Sequence, residues 1–309
     1  MSSFFREGNP ARKRSLAKGY FGKSGEDVMK KEKFKNYLLL ARKKGRPPCI
    51  YHRAVNGLKN SDSLGTVAET IRNKNVDGIE FDVQATSDGK IIVRHDFAIE
   101  TDSGYKWIKE LSFKKLRKNI SENDCPTLEV VIEAIGEIKR IVDIEIKQSG
   151  IANRIIGKYK RARIYKQFIF TTMYEEIYQE IMKSDPTVAW MYGYPRDRGK
   201  NLTNRWWAQP IVKPAVYLIK KSLPKKIIQM MQMIPTDFFS FYHKVISKEL
   251  VENIHNEGKF AIGATISLNS DTGKKESLDH MVKMLEGGCD LIKTDYPDLY
   301  PEVLKRNPN

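Results

Sequence analysis

The chain has 309 residues, 40% of them apolar, with 54 Lys and Arg against 38 Asp and Glu and a formal net charge of +16. That length suits one large α/β barrel or two ordinary domains, and no run of about 18 apolar residues is present to form a transmembrane helix. Cys49, Cys125 and Cys289 match neither a zinc pattern nor a disulfide framework, so they read as small buried residues in a reducing compartment.

The basic excess is concentrated in two segments. Residues 1–47 carry 14 Lys/Arg and 4 Asp/Glu, and residues 195–235 carry 9 Lys/Arg and 1 Asp, which leaves the remainder nearly neutral. Local positive patches call for a polyanionic partner: an anionic membrane surface, with nucleic acid the weaker match. The N-terminal "MSSFFREGNPARKRS" lacks the apolar core of a secretory signal. A cytoplasmic protein with peripheral membrane contact is therefore the simplest expectation.

Residues 1–47 read as a basic appendage. The stretch 1–25 has weak periodicity, whereas "EDVMKKEKFKNYLLLARKK" (26–44) predicts a helix. Val28, Phe34, Leu38 and Ala41 form its apolar stripe, and Gly45 and Pro47 end it. From residue 48 to 309, short apolar runs alternate with helical patterns. Strands are predicted at 49–53, 78–83, 91–95, 140–146, 167–172, 187–193, 237–242, 260–266 and 290–295. Helices fall between most of them, at 64–75, 127–138, 174–183, 247–257 and 277–286. Repeated strand-then-helix order implies parallel strands joined by crossover helices. The expected fold is α/β, a TIM (β/α)8 barrel with a short extra hairpin strand after strand two and a basic amphipathic insertion (about 196–235) between strands five and six.

The second strand poses a problem. In "GIEFDVQATSDGKIIVRHD" (78–96), Glu80 and Asp82 sit inside an apolar run. Strand side chains alternate, so the two carboxylates share one face and Ile79, Phe81 and Val83 share the other. In a barrel the apolar trio packs on helices, which turns the carboxylates inward, toward the mouth where barrels perform chemistry. Other strand ends add to them. His52-Arg53 ends strand one, His95-Asp96 closes the extra strand, and Glu145-x-Lys147 ends strand three. Three carboxylates this close repel unless one is protonated or a cation is bound. Oxygen ligands without Cys or a His cluster suit Ca²⁺ or Mg²⁺ rather than zinc. Arg53 and Lys147 offer donors to an anion such as phosphate. Two histidines can divide the proton work of a phosphodiester cleavage.

These residues resemble the glycerophosphodiester phosphodiesterase family. The "HR" of strand one, the whole 78–96 block, "CPTLEVVIEAI", "DIEIK" and the final "GGCDLIKTDYPDLY" follow the family's order. The resemblance covers roughly Ile50 to Tyr300. It implies a barrel with a divalent metal, commonly Ca²⁺ or Mg²⁺, on Glu80, Asp82 and Glu145. It makes His52 and His95 the acid/base pair and puts Arg53 and Lys147 near the phosphate. The family cleaves glycerophosphodiesters to glycerol 3-phosphate and an alcohol, and some relatives are phospholipase D enzymes acting on lysophospholipids. The chain departs from the family pattern at three places. Ala54 replaces Gly after the His-Arg pair. "NSDSLG" (60–65) replaces Pro-Glu-Asn-Thr, with Asp62 the nearest acidic equivalent. "GATISLN" (263–269) lacks the Trp-Thr of strand seven. These departures bear on substrate choice and metal strength.

The insertion has its own pattern. After Pro224, Ile227, Met230, Met231 and Ile234 recur at i, i+3, i+4 and i+7, with Lys225, Gln229 and Gln232 on the other side. Ala215, Ile219 and Leu223 form a similar stripe beside Lys220 and Lys221, and Trp206-Trp207 precede both. Residues 206–234 therefore read either as a helical lid on the barrel or as a segment that contacts an anionic membrane. Two alternatives stand beside the diesterase: a lysophospholipase D at a membrane surface, and a non-catalytic binder of anionic lipid or nucleic acid on a retained barrel.

Overall fold

The computed structural model describes residues 29–54, 64–136, 140–161, 168–195, 209–265 and 271–307. The expectations placed on residues 1–28, on Asp62, on Trp206-Trp207 and on 266–269 lie outside the described residues. The chain opens with α1 (Lys31–Lys43), β1 (Cys49–Tyr51), α2 (Leu64–Arg72), β2 (Gly78–Ala85) and β3 (Ile91–Val93). Next come β4 (Ala98–Thr101), β5 (Gly104–Trp107), α3 (Phe113–Asn119), α4 (Leu128–Ile135), β6 (Ile141–Ile146) and α5 (Ala152–Arg161). β7 (Phe168–Thr172), α6 (Glu175–Ser184), β8 (Trp190–Tyr194), α7 (Gln209–Met233) and β9 (Phe238–Tyr242) follow. The last elements are α8 (Lys248–Asn256), β10 (Phe260–Ala264), α9 (Asp271–Glu286), β11 (Leu291–Thr294) and α10 (Tyr300–Arg306).

Eight parallel strands close into a ring in the order β1-β2-β6-β7-β8-β9-β10-β11, because β1 pairs with both β11 and β2. β3 pairs antiparallel with β2 outside that ring, as the hairpin pattern predicts. The antiparallel pair β4–β5 and the short helix α3 were not anticipated. Gly78 lets β2 and β6 approach closely, since a Cβ there would lie 2.7 Å from the Ile141 carbonyl oxygen.

The period-2 alternation sorts each strand into an outer and an inner face. Ile79, Phe81 and Val83 are fully buried in the main apolar cluster with Val131 and Ile132 of α4 and Ile155 of α5. Inside the barrel the base is apolar: Ile50, Ile141, Ile169, Met191, Phe238 and Leu291 belong to a second cluster. Polar and charged residues follow one step further up the same strands.

α1 closes that base. Phe34, Tyr37 and Leu38 pack into the inner cluster, and Ala41 is also buried. The Lys31 amide donates to the Thr187 carbonyl at 2.8 Å, and the Ala189 amide to the Met29 carbonyl at 2.9 Å. Lys31 and Lys35 lie 2.7 and 2.8 Å from the Asp237 carboxylate, and Arg42 Nε donates to Asp290 at 2.6 Å. An apolar barrel floor must be kept from water, and here the N-terminal helix covers it.

α7 runs unbroken for 25 residues through Pro214 and Pro224, so the two predicted stripes lie on one helix. Leu223, Ile227, Met231 and Ile234 are buried, Ile219 and Met230 are half-buried on the main cluster, and Ala215 is exposed. The stripe drifts around the helix because each step of four positions overshoots a full turn. No helix among the described residues is long and apolar enough to cross a membrane.

Because Leu38 is fully buried under the barrel floor, Leu38→Ala should lower unfolding free energy by about 2–5 kcal/mol. Urea denaturation followed by circular dichroism measures it. A cost of a few tenths would mean that α1 does not plug the base.

Candidate active site

β2 and β6 lie in a register that pairs Glu80 with Asp143 and Asp82 with Glu145. All four therefore rise along the inner wall, two rungs deep. Oxygen atoms of Glu80, Asp82 and Glu145 lie within 4.8 Å of one another. Glu80 and Asp82 are almost completely excluded from solvent. Lys147, one step past the end of β6, reaches back to Asp82 at 3.0 Å and Glu145 at 2.6 Å. It sits among the carboxylates as their counter-charge.

Arg53 has φ 60 and ψ 19, a left-handed conformation that a residue with a Cβ adopts at some cost. The turn does two things. It aims the Arg53 amide at Glu80, which accepts at 2.5 Å, and it carries the guanidinium to His95 Nε2 at 2.7 Å. The loop after β3 is held in place by Gln84, whose side-chain amide donates to the carbonyls of Arg94 and Asp96, each at 2.8 Å.

The charges in this cluster shift one another. Burial pushes Glu80 well above the usual carboxylate range, and Asp82 and Glu145 add to it. Burial would raise Asp82 too, but Lys147, His95 and Arg53 outweigh it and hold the carboxyl well below its ordinary value. Lys147 is desolvated, yet Asp82 and Glu145 keep its ammonium firmly charged. Glu80 Oε1 and Asp82 Oδ2 are buried without a hydrogen-bond partner. Buried orphaned carboxylate oxygens in a cluster whose three candidate ligands all offer oxygen fit a hard divalent cation, which would favour the ionised form of Glu80 that burial disfavours.

Both histidines are held in the same way. His52 Nδ1 lies 2.7 Å from Asp295 Oδ1, and His95 Nδ1 lies 3.0 Å from Asp96 Oδ1. An ionised carboxylate only accepts, so Nδ1 carries the proton in each ring and Nε2 is left for chemistry. For His95 the tautomer is fixed twice, because Arg53 can only donate to Nε2. Burial, then the cations of Arg53 and Lys147, lower the His95 pKa and favour the neutral ring.

The structure thus brings all seven sequence-predicted residues to one end of the barrel: His52, Arg53, Glu80, Asp82, His95, Glu145 and Lys147. It adds four that the sequence reading missed. Asp295 orients His52. Beneath the carboxylates, Lys293 is paired with Asp143, and Thr171 donates to Asp143 at 2.7 Å. The signal was present: Lys293-x-Asp295 in β11 and the turn after it has the same alternation as Glu80-x-Asp82, and Asp143 precedes Glu145 by two. Beside Lys147, a cavity of about 480 Å³ opens between Gln84, Phe97, Trp107, Gln148 and Tyr174, with Glu176 at its edge.

Fold and side chains together define a class: a TIM barrel with a three-carboxylate cluster and two aspartate-held histidines at its mouth. The sequence model of the Glycerophosphoryl diester phosphodiesterase family matches residues 52–184, and the curated relatives and structural neighbours indicate the same family. A glycerophosphodiester phosphodiesterase of Caldanaerobacter subterraneus is 24% identical over 245 residues, covering 74% of this chain and 86% of that protein. One from Bacillus subtilis is 22% identical over 280 residues, 83% of this chain and 86% of its own. Among solved structures, an Oleispira antarctica phosphodiesterase bound to the product sn-glycerol-3-phosphate superposes with a TM-score of 0.60 at 15% identity, over 85% of this chain and 99% of that one. At this identity the superposition establishes the shared barrel.

The His95 environment has a direct readout. In ¹⁵N-edited NMR the ring should be neutral at pH 7, protonated on Nδ1, and should take its second proton only below the ordinary histidine value of 6.5. Arg53→Gln should move that titration upward, because it removes a neighbouring cation. An unchanged titration would show that Arg53 does not set the His95 charge.

Proposed function

We propose that the protein is a metal-dependent phosphodiesterase that hydrolyses glycerophosphodiesters to glycerol 3-phosphate and an alcohol by histidine acid/base catalysis. The observation that carries this reading is the meeting, at one barrel mouth, of three clustered carboxylates and two imidazoles each tied to an aspartate. The family supplies the substrate class. The product found in the Oleispira antarctica enzyme supports the same class.

Glu80, Asp82 and Glu145 would hold the divalent cation, Ca²⁺ or Mg²⁺, which supplies electrostatic stabilisation to charge developing on the phosphate. Arg53 leaves His95 and donates to a phosphate oxygen, which frees His95 Nε2. The neutral His95 ring then accepts a proton from water. The water oxygen bonds to phosphorus as the bond from phosphorus to the departing alcohol breaks. His52 acts in its doubly protonated form: with its Nδ1–H held by Asp295, it delivers the Nε2 proton to that alcohol oxygen and is left as the neutral Nδ1–H ring. Lys147 keeps Asp82 and Glu145 in place and adds positive charge below the phosphate. The alcohol lies in the cavity lined by Phe97, Trp107 and Tyr174. A glycerol hydroxyl can replace water as the first nucleophile, and a transient cyclic glycerophosphate seen by ³¹P NMR would mark that route.

Release of glycerol 3-phosphate from glycerophosphocholine should stop in EDTA and return with Ca²⁺ or Mg²⁺. His52→Ala should lower kcat by about 10²–10⁴ on that substrate, and by far less on a glycerophosphodiester with a p-nitrophenolate leaving group, which departs without a proton. His95→Ala should be slow on both. Equal losses on the two substrates for His52→Ala would overturn the assignment of the acid.

A second reading, lysophospholipase D activity at a membrane surface with a peripheral cytoplasmic location, is favoured by α7. Its first half exposes Ile211, Tyr217 and Leu218, and the whole helix carries five lysines and no acidic residue. Combined Lys220→Glu and Lys221→Glu exchange should release the protein from anionic vesicles in a sedimentation assay. It should lower turnover of vesicle-borne lysophosphatidylcholine while leaving soluble glycerophosphocholine hydrolysis intact. Unaltered sedimentation would remove the support that residues 206–234 lend to this reading.

A further inference from the structure

Among the described residues, eight large apolar side chains stand exposed, and five of them fall on β5 and the first half of α7. Tyr105 (76% exposed) and Trp107 (47%) are on β5, while Ile211 (74%), Tyr217 (65%) and Leu218 (62%) are on α7. Single exposed apolar residues need no explanation, whereas concentration on two short stretches does.

Both stretches belong to the mouth face. The β4–β5 hairpin follows β3, and its Trp107 lines the cavity beside Lys147, just past the mouth end of β6. α7 leaves the mouth end of β8 and descends to the base end of β9. Its height is fixed by Lys220, which lines one groove with His243 and Lys244, the residues immediately past the mouth end of β9. At 1.5 Å per residue, the turns before Lys220 extend roughly 15 Å beyond that rim. There Ile211, Pro214, Ala215 and Leu218 recur at i, i+3, i+4 and i+7, and all four are exposed. Val212, Val216, Ile219 and Leu223 form the separate, inward row. The first half of α7 is thus apolar on two faces, and only one of them meets the barrel.

The charge around these anchors is positive. Lys213, Lys220 and Lys221 flank the α7 row, and Lys114, Lys115 and Lys118 are exposed on α3, the helix that packs against β4 of the hairpin. Glu100 and Asp102 are the acidic groups at the hairpin itself. An apolar tip ringed by lysines suits the boundary of an anionic bilayer.

We propose that the mouth face docks on an anionic phospholipid bilayer through two anchors, the β5 side of the hairpin and the projecting half of α7. In that orientation the cavity beside Lys147 opens at the lipid interface, so a diester leaving the bilayer enters it without crossing water. This rests on the membrane-contact reading of α7 and adds the second anchor and the orientation.

The native cysteines are all buried, so an introduced surface cysteine takes an environment-sensitive fluorophore selectively. Labelled Tyr105→Cys, Leu218→Cys and Lys44→Cys proteins would be mixed with vesicles of phosphatidylcholine alone or with phosphatidylserine. The expected result is a blue shift at positions 105 and 218 with phosphatidylserine and none at position 44, on the base. Tyr105→Ser and Leu218→Ser should each weaken vesicle affinity about tenfold or more and leave hydrolysis of soluble glycerophosphocholine unchanged. A shift at position 218 alone overturns the two-anchor orientation while α7 contact stands. No shift at either position overturns both. A shift at position 44 means that the wrong face was assigned.

Discussion

Everything at this barrel mouth follows from one electrostatic constraint. β2 and β6 place Glu80, Asp82, Asp143 and Glu145 on the inner wall of a closed barrel, where water cannot screen them. Four such carboxylates cannot coexist uncompensated. Lys293 answers Asp143, Lys147 spans Asp82 and Glu145, and Arg53 turns its amide to Glu80. Two buried ammoniums do not neutralise four carboxylates, and the group that meets Glu80 is the uncharged amide of Arg53. Burial, and then the charges of Asp82 and Glu145, raise the Glu80 pKa. A bound divalent cation would relieve the same imbalance, so the site's unfinished charge balance and its chemistry have one origin.

The barrel separates stability from function along its axis. Its lower third is apolar and sealed by α1, whose Phe34 and Leu38 are as buried as any strand residue. One rung higher, Asp143, Thr171 and Lys293 form a polar layer with internal partners. Incomplete bonding begins at that rung with Glu80, whose Oε1 has no hydrogen-bond partner, and continues above it with Asp82 Oδ2. The strain stored at Arg53 and the orphaned oxygens sit on this foundation, and the stability of the apolar floor offsets their cost. Above the rim stand the β4–β5 hairpin, whose Trp107 lines the cavity beside Lys147, and the exposed first half of α7. Both are insertions after strand ends, where chain can be added without disturbing the ring.

Much of this was legible in the residues. Alternation within "GIEFDV" and "DIEIK" put the carboxylates and Lys147 on inward faces, and the order of strands and helices dictated the barrel. The same rule, applied to Lys293-x-Asp295 and to Asp143, reaches the residues that were missed. Other features had no local signal. α1 carries an ordinary amphipathic stripe, and nothing in its sequence says that the surface it covers is a barrel floor assembled from strands as distant as Phe238 and Leu291. The β4–β5 hairpin is short, and its Tyr105-x-Trp107 alternation marks no core-facing strand, because β5 is exposed on both faces.

By itself, then, the sequence determined the fold class, the inward faces and the seven side chains at the mouth, because those depend on periodicities of a few residues. Tertiary structure alone decided the partnerships. Asp295 meets His52 across 243 positions, Arg53 meets His95 across 42, and Lys293 of β11 meets Asp143 of β6 across the barrel interior. Such contacts are set by ring closure and strand register, which act over the whole chain at once. They also decide which nitrogen of each imidazole carries its proton and which carboxyl pKa values are pushed up or down, since a side chain's titration is set by the neighbours that the closed barrel gives it.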